Sequence, residues 1–160
     1  GSGGVGARNA GRVLGKSGFV VTLVGDALKG VVAVLLARKF EIAAPAVSLV
    51  LIAVIAGHVW PLPLGFRGGR GIATAIGSYL AYDYTIALLL LGLTAALMVF
   101  RRGFILSGLA AFLILPMLAR ALDYPRHVVA ALAGAAVIIL FAHRERIRKA
   151  FAEAVPQKEA

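Results

Sequence analysis

An all-helical, multi-pass membrane bundle is the fold class that this 160-residue sequence predicts. Three observations predict it. Hydrophobic residues make up 61% of the chain and charged residues only 15%, against roughly 45–50% and about 25% in soluble domains. Mean hydropathy is +0.92. The apolar residues are gathered into long runs, and a chain this short has too little interior to hide them from water. The length suggests one domain, residues 1–160.

Taken in order, the apolar stretches are Gly18–Ala37, Ala43–Gly57, Gly71–Tyr82, Tyr84–Phe100, Phe104–Leu122 and His127–Ala142. A crossing takes about 20 helical residues, with a range of roughly 17–25. Three stretches reach that range, Ala43–Gly57 and His127–Ala142 fall slightly short, and Gly71–Tyr82 is clearly shorter. Six crossings are nevertheless expected, with a re-entrant Gly71–Tyr82 as the rival. Trp60, Tyr79, Tyr82 and Tyr84 fall at the ends of runs, where amphipathic rings favour the membrane interface.

Polar connections separate the runs. The first, Gly1–Ser17, reads as a glycine-rich loop with Arg8, Arg12 and Lys16. The second, His58–Arg70 within a loop region 57–74, is rich in Gly and Pro and carries Arg67 and Arg70. The third is the tail 143–160, opening with His143, Arg144, Arg146, Arg148 and Lys149. If all six runs cross, these three connections share one face together with Arg101 and Arg102. Arg38, Lys39, Glu41, Asp83, Asp123 and Arg126 are left on the other, near neutrality. The positive-inside rule then places the basic face in the cytoplasm. The net charge of +10 is thereby accounted for by anionic lipid and anionic substrates rather than nucleic acid.

Several chemistries are absent from the sequence. With no cysteine and only three histidines, no metal-ligand spacing is present, and no metal or cofactor is expected. There is no Gly-x-Ser-x-Gly elbow and no Walker A loop, and no histidine is followed by Asp five positions on.

What remains points to phosphate. Gly1-Ser2-Gly3-Gly4-Val5-Gly6-Ala7-Arg8-Asn9, followed by Arg12, could cradle an anion with backbone amides and side-chain donors, or could be an unstructured terminus. Gly68-Gly69-Arg70-Gly71 feeds a helical run, a geometry that offers free amides and a full positive charge, or an ordinary basic turn. Asp26 and Lys29 lie on one helix face inside the first run, where ionisable groups are costly and mark function or a mutually neutralised pair. His58 and His143 both fall at run ends on the basic face, and the cations beside His143 favour its neutral form. His127, on the far face, reads as structural.

These motifs resemble those of the bacterial PlsY family, the acyl-phosphate:glycerol-3-phosphate acyltransferases. The family's G-S-G-N-I-G-A-T-N-V-L-R appears as Gly1-Ser2-Gly3-Gly4-Val5-Gly6-Ala7-Arg8-Asn9-Ala10-Gly11-Arg12. Its G-H-x-x-P and F-x-G-G-K-G-V-A-T appear as Gly57-His58-Val59-Trp60-Pro61 and Phe66-Arg67-Gly68-Gly69-Arg70-Gly71-Ile72-Ala73-Thr74. Its H-R-x-N-I-x-R appears as His143-Arg144-Glu145-Arg146-Ile147-Arg148-Lys149, and Asp26 with Lys29-Gly30 also matches.

The resemblance implies a seven-span bundle whose first helix would precede Gly1. It also implies transfer of an acyl group from acyl phosphate to the C1 hydroxyl of glycerol 3-phosphate at the membrane lipid surface. It assigns Ser2 and His143 to catalysis. Ser2, Gly3, Asn9, Arg12, Gly69, Arg70 and His143 would hold substrate phosphates, with Lys29, Asp26 and His58 in support. The chain departs from the pattern at Gly4 for Asn, Arg8 for Thr, Arg70 for Lys and Arg146 for Asn. A catalytically inactive family member is one alternative, drawn from Arg146 in the place of Asn; a small organic-anion transporter is the reading from another class, and it fits poorly with the almost wholly apolar last four runs.

Overall fold

The computed structural model describes residues 4–100 and 103–154. Among the described residues seven helices follow one another: α1 Ala7–Lys39, α2 Ala44–Val59, α3 Ile72–Tyr82, α4 Tyr84–Met98, α5 Gly103–Ala121, α6 Arg126–Ala142 and α7 Arg144–Ala154. A 3-10 turn, Leu62–Leu64, follows α2. No strand occurs among the described residues.

Among the described residues three segments are long and apolar enough to cross a membrane: α1, α2 with its 3-10 turn, and α5. A fourth exists if α6 and α7 count together, although that pair bends by 64°. The helices α3 and α4 are shorter, so length alone supports fewer crossings than the six expected from the sequence.

The loop expected over residues 1–17 is helical from Ala7 onward. The glycine density that suggested a loop ends at Gly6, and the Ala, Arg, Val and Leu that follow are compatible with helix. What interrupts α1 is Gly15, at φ 70° and ψ −163°, a conformation essentially restricted to glycine.

The helices pack chiefly as α1 on α3, α4 on α5, and α6 against both α2 and α5. Two glycines let α1 and α3 meet at backbone distance. A Cβ on Gly77 would lie 2.0 Å from the Ala27 carbonyl oxygen, and one on Gly30 would lie 2.3 Å from that of Thr74. Close approach through small residues is the packing mode expected in lipid, where apolar side chains gain little by leaving their surroundings. The core is filled by Leu51, Ile55, Ile86, Leu90, Phe112, Leu115, Leu132 and Ile139. Outward-facing Val21, Leu49, Leu88, Leu113, Met117 and Val137 form the exposed apolar surface.

Tyr79 is not at an interface, as its place near a run end suggested. Its ring is fully buried, 6.3 Å from that of Phe112. The position faces α5, and helical phase outweighs distance from the run's end.

One end of the bundle is tied by polar contacts. Asp83, between α3 and α4, accepts from the Thr85 amide (2.8 Å) and from the Tyr124 hydroxyl (3.0 Å). Arg38 lies 5.6 Å from the centre of the Tyr82 ring and donates to the Tyr82 carbonyl, while Ser48 shares a 3.0 Å bond with the Tyr82 hydroxyl. The candidate site occupies the other end.

Candidate functional site

The loop after α2 determines where Arg70 stands. Pro61 opens the 3-10 turn and Gly65 closes it in the left-handed region. The chain then folds back on the end of α2, where the Gly68 amide donates to the Val59 carbonyl and the Gly69 amide to the His58 carbonyl, both at 3.1 Å. The sequence suggested that these amides were free for an anion. Loop closure uses them instead. Gly69 matters for a different reason, since a Cβ there would sit 2.0 Å from His58 Nε2.

His58 is therefore packed under the loop by its Nε2 edge. Its other nitrogen, Nδ1, lies 3.5 Å from Asp26 Oδ1, and Lys29 Nζ approaches the same oxygen at 2.7 Å. The Asp26–Lys29 pair seen in the sequence is thus real and is joined by His58. These groups open onto a cavity of about 340 Å3 with Val5, Gly68 and Gly69 on its walls.

On the other side of the loop lies a groove of about 470 Å3. Arg8, Arg70, Arg146 and Lys149 give it a cationic wall with Glu145 as the acid among them, and Phe104, Ile105 and Leu106 give it an apolar one. Arg8, Arg12, Arg70 and Arg146 stand near enough to repel one another. A guanidinium stays charged. Mutual repulsion of this kind is relieved by a bound anion.

His143 sits just beyond α6, with 3% of its surface exposed. Its Nδ1 is 2.8 Å from the Ile139 carbonyl oxygen. A carbonyl can only accept, so Nδ1 carries the hydrogen and Nε2 keeps a lone pair in the neutral ring. Burial first, then Arg70, Arg146 and Arg8, push the imidazole below its ordinary value, against the opposing pull of the Ile139 carbonyl. The neutral form expected from the sequence is the one that the site favours.

The structure divides the remaining sequence-derived residues. Arg12 is exposed and lines a separate cavity of about 500 Å3 beside the Gly15 break, with Lys16 and Phe19; Arg8 borders both spaces. Asn9 is half-buried in the first turn of α1, its amide donating to Gly6 O at 2.9 Å. Ser2 and Gly3 lie outside the described residues. Arg8 and Arg146 entered the sequence reading as basic residues of the connections and as departures from a pattern, not as site residues, yet both line the groove. Their spacing was the available signal, four residues before Arg12 and three after His143. Lys149, one helical turn on from Arg146, follows from the same phase.

Fold and site together define an integral membrane protein, helical in architecture among the described residues, with a cationic pocket at one end of the bundle. The family model described as glycerol-3-phosphate acyltransferase matches residues 1–153. The chain belongs to that family.

A glycerol-3-phosphate acyltransferase 1 from Desulfitobacterium hafniense is 48% identical over 93% of this chain and 74% of its own length. The Geobacter sulfurreducens glycerol-3-phosphate acyltransferase is 39% identical over 93% of this chain and 77% of its own. Among solved structures, the integral membrane acyltransferase PlsY in its glycerol 3-phosphate form superposes with a TM-score of 0.83 at 30% identity, covering 96% of this chain and 77% of that one. Its lysophosphatidic acid form gives the same TM-score at 29% identity, covering 95% and 78%.

Proposed function

We propose that this chain transfers an acyl group from acyl phosphate to the C1 hydroxyl of glycerol 3-phosphate, releasing lysophosphatidate and inorganic phosphate. The observation that carries the reading is the meeting of Arg8, Arg70 and Arg146 beside a buried, neutral His143 at the edge of an apolar wall. Two phosphorylated reactants need cationic charge, one long-chain reactant needs apolar surface, and an attacking hydroxyl needs somewhere to leave its proton.

The hydroxyl oxygen forms the new ester bond at the acyl carbonyl, and the carbonyl–phosphate bond breaks with its electrons departing on phosphate. His143 Nε2, which holds a lone pair, takes the hydroxyl proton. This orientation suits a base better than a phosphate donor, the other role that the resemblance gives His143. Because phosphate is already a good leaving group, positioning and charge neutralisation supply most of the acceleration.

Arg70 and Arg12, with Ser2, Gly3 and Asn9 of the first motif, hold the phosphates, while Lys29, Asp26 and His58 support the loop that carries Arg70. The whole of 1–160 acts as one domain in the bacterial inner membrane. The concentration of Arg8, Arg12, Arg70, Arg146 and Lys149 at one end favours a cytoplasmic site under the positive-inside rule.

Phosphate release from palmitoyl phosphate and glycerol 3-phosphate tests the reading. Turnover should require both substrates, and Arg70→Ala and Arg12→Ala should each lower kcat/KM by on the order of 100-fold. Wild-type rates in both variants would sink the phosphate-holding roles, and no turnover with both substrates present would sink the reaction.

A further inference from the structure

The helix α7 has two unlike faces. Glu145, Arg146, Lys149 and Ala150 fall together and line the cationic groove. Arg144, Arg148 and Phe151, spaced four and three residues apart, share the opposite side. All three of these side chains are exposed, and Phe151 is 71% exposed. Ile147, between the two faces, packs on the core. At its start α7 turns by 64° away from the direction of α6. Arg144 is fixed there by a 3.1 Å bond to the Phe141 carbonyl and by the Phe141 ring, 4.5 Å below its guanidinium. Among the described residues α7 takes no part in the extensive helix–helix packing that holds the bundle.

A helix that leaves a membrane bundle at a steep angle, with one bulky apolar side chain on the same face as two arginines, has the composition of an interfacial helix. The ring reaches the headgroup–acyl boundary and the guanidinia remain among the headgroups. Charge complementarity selects the occupant, since two arginines facing outward match an anionic leaflet.

We propose that α7 docks on an anionic lipid surface through Phe151, Arg144 and Arg148, and that this docking holds Arg146 and Lys149 in place as the far wall of the groove. The inference deepens the proposed acyltransferase reading by making one wall of its site dependent on lipid charge.

The chain contains no cysteine, so Ala152→Cys places a lone fluorescent label on the exposed side of α7. The purified protein is placed in nanodiscs of phosphatidylcholine, with or without phosphatidylglycerol, and the label is read by quenchers fixed in the acyl region. Docking predicts strong quenching only with phosphatidylglycerol. Arg148→Ala should lower the docked-to-undocked ratio roughly fivefold, the factor that one arginine near an anionic surface supplies, and Phe151→Ser should abolish quenching. With phosphatidylglycerol, KM for glycerol 3-phosphate should rise in Phe151→Ser while kcat holds.

A label equally open to water in both discs overturns the inference. So does quenching that follows protein concentration rather than lipid charge, which would assign the face to a second copy. The label reports without turnover. Docking in a chain that transfers no acyl group would therefore remove the proposed reaction and leave the docking, and turnover with an undocked label would do the reverse.

Discussion

His143 is oriented by a single hydrogen bond to Ile139, and its charge state is set by burial and three arginines. If its neutral ring is the base, activity disappears as pH falls through a value below the ordinary imidazole figure of about 6.5. Arg8→Thr or Arg146→Asn removes one repelling charge, so the acid limb of kcat/KM against pH should move to higher pH in each variant. A limb that stays put would exclude His143 as the titrating group. A second residue-scale prediction concerns the loop. Gly69→Ala alone drives a methyl group against His58 Nε2 and should raise KM by about tenfold or more, given what a misplacement of about 1 Å costs. In a His58→Ala background the same change should cost much less, a non-additivity readable in a double-mutant cycle. Simple additivity would mean that the two residues do not touch. Both residues stood out in the sequence as motif members, whereas their contact did not, because it exists only once the loop folds back on α2.

Among the elements, α1 and α3 are the pair most dependent on small residues. Gly77→Ala forces a methyl group toward the Ala27 carbonyl, and α3 carries Arg70 at its head, so the helices must part or the loop must shift. Overpacking of this kind costs about 1–3 kcal/mol, which should appear as a lower melting temperature in detergent and a loss of acyl transfer. An unchanged melting temperature would mean that α1 and α3 are less tightly apposed than described. The apolar runs anticipated the helices well. The runs Ala43–Gly57, Gly71–Tyr82, Tyr84–Phe100, Phe104–Leu122 and His127–Ala142 correspond to α2 through α6 with small shifts at their ends, because hydropathy is a property of each residue in place. The extension of α1 back to Ala7, its break at Gly15 and the burial of Tyr79 depend on backbone conformation and on neighbours distant in sequence. Composition carries no record of either.

Across the whole molecule, polar chemistry is divided between two ends. One end carries the candidate site, and the other is latched by Asp83, Tyr124, Arg38 and Tyr82. Burial alone would raise the Asp83 carboxyl, but hydrogen bonds from Thr85 and Tyr124, with Arg38 nearby, hold it below the usual range. Folding therefore favours the carboxylate. That stabilisation is present above the ordinary aspartate value of about 3.9 and is lost as pH falls through the lower native value. Asp83→Asn should melt at a lower temperature than the wild type near neutrality, and the gap should close under acid. A gap independent of pH would mean that the ionised form is not what the latch uses.

The eleven residues of α3 rise only about 17 Å, little more than half the thickness of a bilayer's hydrocarbon layer. If α3 crosses in a bilayer that thins around it, the loop that heads it is drawn toward the acyl chains. A single-chain donor could then present its reactive carbonyl sideways, from within the leaflet, while its tail never leaves oil. Only the small, water-soluble alcohol would have to make the descent.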